Sequence, residues 1–129
     1  MSAVLLDTHA WAWSMLGQDR LSRSAVEAIS SADIVLVSPV SFFEIGQKVR
    51  LGKWPAMAPF VDQLPDILDQ QGAGTAPLDP RICLRAAMMD WSHRDPFDRL
   101  LAATALENSV PLISADQAFD SLADVLRIW

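Results

Sequence analysis

Apolar residues along this chain alternate between two spacings. Short unbroken runs, AVLL (3–6), DIVLVS (33–38) and VPLIS (110–114), read as buried strands. VLRIW (125–129) predicts a last strand and GTAPLD (74–79) a weak one. Between them, apolar positions recur at helical spacing. THAWAWSML, with Asp7 as a candidate N-cap, predicts a helix up to Gly17, and SRSAVEAISSA (22–32) a second. Pro39 opens a helix that ends near Gly52. PFVDQLPDILDQQG (59–72) is helical with a kink or break at Pro65. PRICLRAAMMDW (80–91) has proline at its start, and DQAFDSL (116–122) predicts a short helix. In RDPFDRLLAATA (94–105), Asp95 followed by Pro96 reads as an N-cap with proline at the first helical position, and that helix runs to about Asn108.

Strands alternating with helices over the whole length predict an α/β fold, a parallel sheet with helices on both faces. With no repeat, low-complexity tract or linker, residues 1–129 read as a single domain. In such sheets the functional cleft lies at the carboxyl ends of the strands.

Four acids map to that edge. Asp7 ends the first strand, Asp116 follows the fourth, Asp98 lies in the first turn of the helix before the fourth, and Glu44 lies in the helix leaving the second. Each has a bland alternative. Asp7 and Asp116 suit N-caps, and an acid in the first helical turn favours the helix dipole. Glu44 lies opposite the Phe42, Ile45 and Val49 stripe, as a solvent-facing acid would. Asp98 has Leu101, Ala102 and Ala105 as helical neighbours and no cation on its face, while Arg99 points about 100° away. If the four converge, their repulsion demands a counter-charge. Oxygen-only donors favour Mg²⁺ or Mn²⁺ over zinc. The spacing leaves one metal or two open.

Composition narrows the function classes. Ten Lys and Arg against sixteen Asp and Glu give a net charge of −6, which argues against a general nucleic-acid coat but leaves room for one specific RNA. Half of the basic residues, Arg20, Arg23, Lys48, Arg50 and Lys53, fall early, and Lys48, Arg50 and Lys53 are candidates for RNA phosphates. A lone cysteine, Cys83, excludes an internal disulfide and a thiolate zinc cage, and its apolar surroundings predict a core position. The N-terminus lacks the pattern of a signal peptide and no apolar run is long enough to span a bilayer, so a cytoplasmic protein without membrane contact is expected. His9 and His93 have no nucleophile-elbow motif beside them. His9 is within reach of the acidic site but reads first as structural or solvent-facing, and His93 as leading into the helix at Pro96. Trp11, Trp13, Phe43 and Trp54 are more aromatic weight than a small core needs, so some are candidates for a protein interface.

LLDTHAWAW, SPVSFFEIGQKVRLGKW, HRDPFDRLLAATA and LISADQAF, in that order, resemble the four acidic motifs of PIN-domain ribonucleases. More narrowly, they resemble the VapC-type toxins of bacterial toxin–antitoxin pairs. The resemblance implies a three-layer sandwich with a five-stranded parallel sheet ordered 3-2-1-4-5. It implies Mg²⁺-dependent endoribonuclease activity on tRNA or ribosomal RNA, with Mn²⁺ able to substitute. Carried over by motif, the catalytic and metal-holding residues are Asp7, Glu44, Asp98 and Asp116. Thr8 and Ser114 match supporting hydroxyl positions, with Asp95 nearby. A homodimer and a cognate antitoxin partner are implied as well. Two alternatives stand beside this reading. One is a non-catalytic interaction module of the same fold. The other is an aspartyl-phosphate phosphotransfer enzyme with Asp7 as nucleophile, against which His9 stands where a second acid would be required.

Overall fold

A computed structural model describes residues 2–129. Five strands form one all-parallel sheet in the order β3-β2-β1-β4-β5. They are β1 (Ala3–Leu6), β2 (Ile34–Val37), β3 (Gly74–Thr75), β4 (Leu112–Ile113) and β5 (Arg127–Ile128). Register places Leu6 beside Val37 on one side and Ile113 on the other. The chain order therefore reverses about β1, which is the topology that opens a crevice at the carboxyl edge.

Six helices cover the sheet: α1 (Thr8–Leu16), α2 (Arg23–Ser31), α3 (Pro39–Arg50), α4 (Leu64–Gln70), α5 (Pro80–Met88) and α6 (Pro96–Asn108). Successive strand side chains point to opposite faces, and the core divides accordingly. Val4, Leu6 and Ile113 pack on one face with Ala10 and Trp11 of α1, Ala25 of α2, Ile45 of α3 and Leu64 and Leu68 of α4. Leu5 and Leu112 pack on the other with Leu101, Ala102 and Ala105 of α6 and with Trp91 and Phe119. Helix α5 joins that layer through Ile82 and Ala86 against Ala103. The result is the expected three-layer sandwich. Trp11 is fully buried and its indole N–H donates to Gln71 Oε1 at 2.9 Å. Truncating such a side chain to alanine typically costs about 3–5 kcal/mol.

Helix starts follow local chemistry. Asp7, Ser22, Ser38, Asp79 and Asp95 each cap a helix through the side-chain oxygen. The break expected at Pro65 lies earlier. A 3-10 segment covers Pro55–Gln63, and Pro65 sits in the first turn of α4, where its missing N–H has no helical partner to lose. The predicted helix at 80–91 ends at Met88, and the short helix after Asp116 is a 3-10 turn, Gln117–Ser121. Cys83 is exposed rather than in the core. The buried stripe of α5 runs through Ile82 and Ala86, and Cys83 stands one residue, or about 100°, around from it. Among the described residues, no helix is long and apolar enough to cross a membrane.

Candidate functional site

A pocket of about 160 Å³ opens at the carboxyl edge of the sheet, lined by Asp7, Thr8, His9, Glu44, Lys48, Asp95, Asp98, Leu101 and Asp116. All four acids singled out in the sequence reach it. Asp7 follows β1 and caps α1, accepting from the Ala10 amide at 2.8 Å. Asp116 follows β4 and caps the next turn, accepting from the Ala118 amide at 2.9 Å. Capping and membership of the site are therefore compatible roles for both: one carboxylate oxygen takes the amide, and the second is left for other partners.

Glu44 is not the solvent-facing acid that its helical position allowed. It is 5% exposed and ion-paired with Lys48, Oε2 to Nζ 2.7 Å. Helix α3 packs against α1 and also against α6, so it buries a second stripe beyond Ile45. Asp98 and Asp95 part company as their positions suggest. Asp95 is the N-cap of α6, accepting from Phe97 N at 2.8 Å and Asp98 N at 3.3 Å. Asp98 takes no capping role and turns toward His93, whose Nε2 lies 2.7 Å from its Oδ2.

Burial and crowding raise the acids. Asp7 is pushed up to about 6, mainly by burial, with the charges of Asp98 and Glu44 adding to it and hydrogen bonds from Ser114 and the Ala10 amide opposing. Asp98 is raised for the same first reason, against its hydrogen bond with His93, with Asp95 and Asp116 adding repulsion. His9 stands exposed at the pocket rim, yet the packing around part of its ring desolvates it and, with the charge of Lys48, lowers it. The pocket thus holds more negative charge than its own groups neutralise, and Lys48 is its nearest ammonium.

Supporting residues divide. Ser114 is fully buried; its hydroxyl accepts from the Asp116 amide at 3.0 Å and hydrogen-bonds Asp7. The Thr8 hydroxyl pairs with Ser41 Oγ at 2.9 Å inside the fold. Of the candidate RNA contacts, Lys48 lines the pocket, whereas Arg50 and Lys53 stand exposed at the end of α3 and just beyond it. Among the aromatic candidates Trp11 is core and Phe43 is 61% exposed.

Sequence reasoning missed His93. Among the described residues, the donor group that closes to within 4.8 Å of one another is His93, Asp98 and Asp116. His93 lies in the segment between α5 and α6, where no periodicity assigns a role. The residue that places it is Arg99, whose guanidinium donates to the carbonyls of Ala86, Ala87, Met89, Trp91 and His93. A half-buried arginine directly after Asp98, whose one acid at helical spacing, Asp95, is taken by the cap, was the available signal.

Comparison with known proteins agrees with this fold. A family model described as PIN domain matches residues 4–125. The chain is 30% identical over 122 residues to Ribonuclease VapC22 of Mycobacterium tuberculosis (strain ATCC 25618 / H37Rv), covering 94% of this chain and 92% of that protein. Solved structures share its fold, two of them as follows. VapBC-1 from nontypeable Haemophilus influenzae gives a TM-score of 0.66 at 18% identity, covering 97% of this chain and 96% of that one. A toxin–antitoxin complex from Klebsiella pneumoniae gives 0.66 at 15% identity, covering 95% of each.

Proposed function

The chain belongs to the PIN-domain family, on its VapC-type branch, and from that premise we propose that it is a Mg²⁺-dependent endoribonuclease, the toxin of a toxin–antitoxin pair. The observation that supports this best is the meeting of Asp7, Glu44, Asp98 and Asp116 in one pocket where the strand order reverses. The donors fit the cation: they are mainly hard carboxylate oxygens, with the His93 imidazole beside Asp98 and Asp116, and the acids are raised in part by neighbouring anions, Asp7 by Asp98 and Glu44, and Asp98 by Asp95 and Asp116. Mn²⁺ is expected to substitute. When bound, such a cation lowers the pKa of a water and balances charge on the phosphate under in-line attack.

The chain's own residues prepare that chemistry. The Ala10 amide and Ser114 fix Asp7, the Ala118 amide fixes Asp116, and His93 orients Asp98. Lys48 holds its ammonium at Glu44, beside the place where a scissile phosphate would enter. The proposed substrate is a structured RNA, tRNA or ribosomal RNA. The 30%-identical relative is a ribonuclease, and the Klebsiella pneumoniae structure is a toxin–antitoxin complex, which supports a cognate antitoxin here. A homodimer is part of the same reading. Leu84 and Met88, one turn apart on α5 and 67% and 80% exposed, are apolar surface suited to a second chain.

The test is incubation of the purified chain with a total tRNA pool and, separately, with ribosomal RNA. Cleavage should appear with Mg²⁺, stop in EDTA and return with Mg²⁺ or Mn²⁺. Equal cleavage in EDTA would remove the metal from the mechanism, and no cleavage of tRNA or ribosomal RNA under any of these conditions would remove the nuclease.

A further inference from the structure

Beside the acids, a run of aromatic rings begins at the pocket wall. His9, two residues after Asp7, lines the pocket and is exposed. Its ring stacks on Trp54 with centroids 4.8 Å apart and planes 30° from parallel. On α1 it also meets Trp13 at 5.7 Å, and Trp13 meets the terminal Trp129 at 5.6 Å. The Lys48 ammonium lies 5.5 Å from the centre of the Trp54 ring and 2.7 Å from Glu44. One cation therefore joins the aromatic run to the acidic pocket.

Packing explains part of this. Trp54 and Trp129 are half-buried and lean on the core. It gives no reason to set an exposed imidazole at the head of the run, against the pocket. Trp13 is half-buried next to it, so the rings come from three separate segments of chain and meet at the surface.

We propose that His9, Trp54 and Trp13 form a stacking subsite for an unpaired base of the RNA strand whose phosphate enters the acidic pocket. The inference rests on the nuclease reading above and adds residues to it. A base lies one sugar away from its own phosphate, and His9 lies two residues from Asp7, so neighbouring subsites are the natural arrangement. Stacking on aromatic rings tolerates any base and favours single strands, whose π-faces are open, over duplex, whose faces are covered. Each stacked base is worth roughly ten- to hundredfold in affinity. Lys48, close to both features, is suited to the phosphate between them.

The experiment measures binding and cleavage on the full chain. A short mixed-sequence single-stranded RNA, and the same RNA annealed to its complement, are titrated in Mg²⁺ against the Asp98→Asn chain while indole fluorescence is followed. Single strand should bind more tightly and quench the indoles. Added to that background, His9→Ala and Trp54→Leu should each weaken single-strand binding about tenfold and leave duplex binding unchanged. His9→Phe, which keeps a stackable ring, should restore it. Placing an abasic nucleotide beside the cleaved bond should mimic the alanine variant. If folded His9→Ala and Trp54→Leu both bind single strand as the parent does, while the wild-type chain cleaves it, the subsite falls and the nuclease stands. If the wild-type chain neither binds nor cleaves RNA, both fall. If the two substitutions spare RNA binding but release the antitoxin, the aromatic run is a protein contact and the proposal is overturned.

Discussion

His93 Nε2 lies 2.7 Å from Asp98 Oδ2, so a histidine from the loop before α6 and an acid from its first turn form one unit. The loop is tied down by Arg99, the residue after Asp98, which donates to three of its carbonyls, those of Met89, Trp91 and His93, and to two at the end of α5. The acid, its orienting partner and the clamp on that partner are thus encoded within HRDPFDR.

Removing the imidazole should leave Asp98 in place but free to turn. His93→Ala is expected to weaken Mn²⁺ binding by about ten- to hundredfold, the usual effect of losing a group that orients a metal-holding side chain. His93→Gln, which can still donate to the carboxylate, should recover part of it. Calorimetric titration with Mn²⁺ reads this directly. Unchanged affinity in His93→Ala, with Asp98→Asn impaired, would show that Asp98 needs no orienting partner.

Arg99 should show in stability before activity. A lysine keeps the charge but not the planar fork that reaches several carbonyls together. Arg99→Lys is expected to lose roughly 1–3 kcal/mol, as hydrogen bonds from a charged group go unmade. Thermal melting should fall by several degrees, and hydrogen exchange should speed up between Met89 and Arg94 while α3 stays protected. A variant that melts as wild type does would make the five contacts incidental.

Asp95 and Asp98, three residues apart, should separate cleanly. Asn caps about as well as Asp, so Asp95→Asn should retain most stability and much of the cleavage. Asp98→Asn removes a charge from a pocket where burial and neighbouring acids already raise that group. Its cleavage should nearly vanish at saturating Mg²⁺, while melting in EDTA holds or rises. The opposite pattern, with Asp95→Asn inactive at unchanged stability, would reverse the two roles.

What the sequence revealed, and what it hid, follows the range of the interactions. The cap at Asp95 and the proline after it are local, and so were legible. The placing of Asp7 and Asp116 at one edge was available because alternating elements predict a parallel sheet with its cleft at the strand ends, whereas the strand order came from the resemblance alone. Glu44 was ambiguous for a physical reason: its helix packs on more than one side, against α1, α6 and the 3-10 segment, and periodicity within one helix reveals one stripe at a time. Cys83 was misplaced by the same blindness, since an apolar neighbourhood in sequence does not say which side of α5 meets α6. His93 sits in irregular chain, and its role depends on Arg99 reaching back across the loop. The aromatic run is less local still, joining α1 to Trp54 and Trp129.

Asp7 sets a pH dependence whose sign the fold dictates. Unfolded, the group titrates near 3.8; folded, near 6. Between those values the folded chain keeps a proton that the unfolded chain releases, so metal-free protein loses stability as pH rises through the window. Over that interval the loss from Asp7 amounts to about 3 kcal/mol at most. Asp98, raised in the same direction, adds to it. Below pH ~4 both states are protonated and above pH ~6 both are ionised, so the slope from Asp7 should be confined to that range. Asp7→Asn keeps an oxygen for the Ala10 amide and carries no charge, so its melting curve in EDTA should be flatter between pH 4 and 6 and higher than wild type at pH ~7. Mg²⁺ should reverse the order at pH ~7, because a cation that binds only the folded, ionised wild type stabilises it by mass action. Parallel pH profiles for the two proteins in EDTA would mean that Asp7 titrates as an ordinary surface acid, and the case for a charge-strained pocket would lose its strongest member.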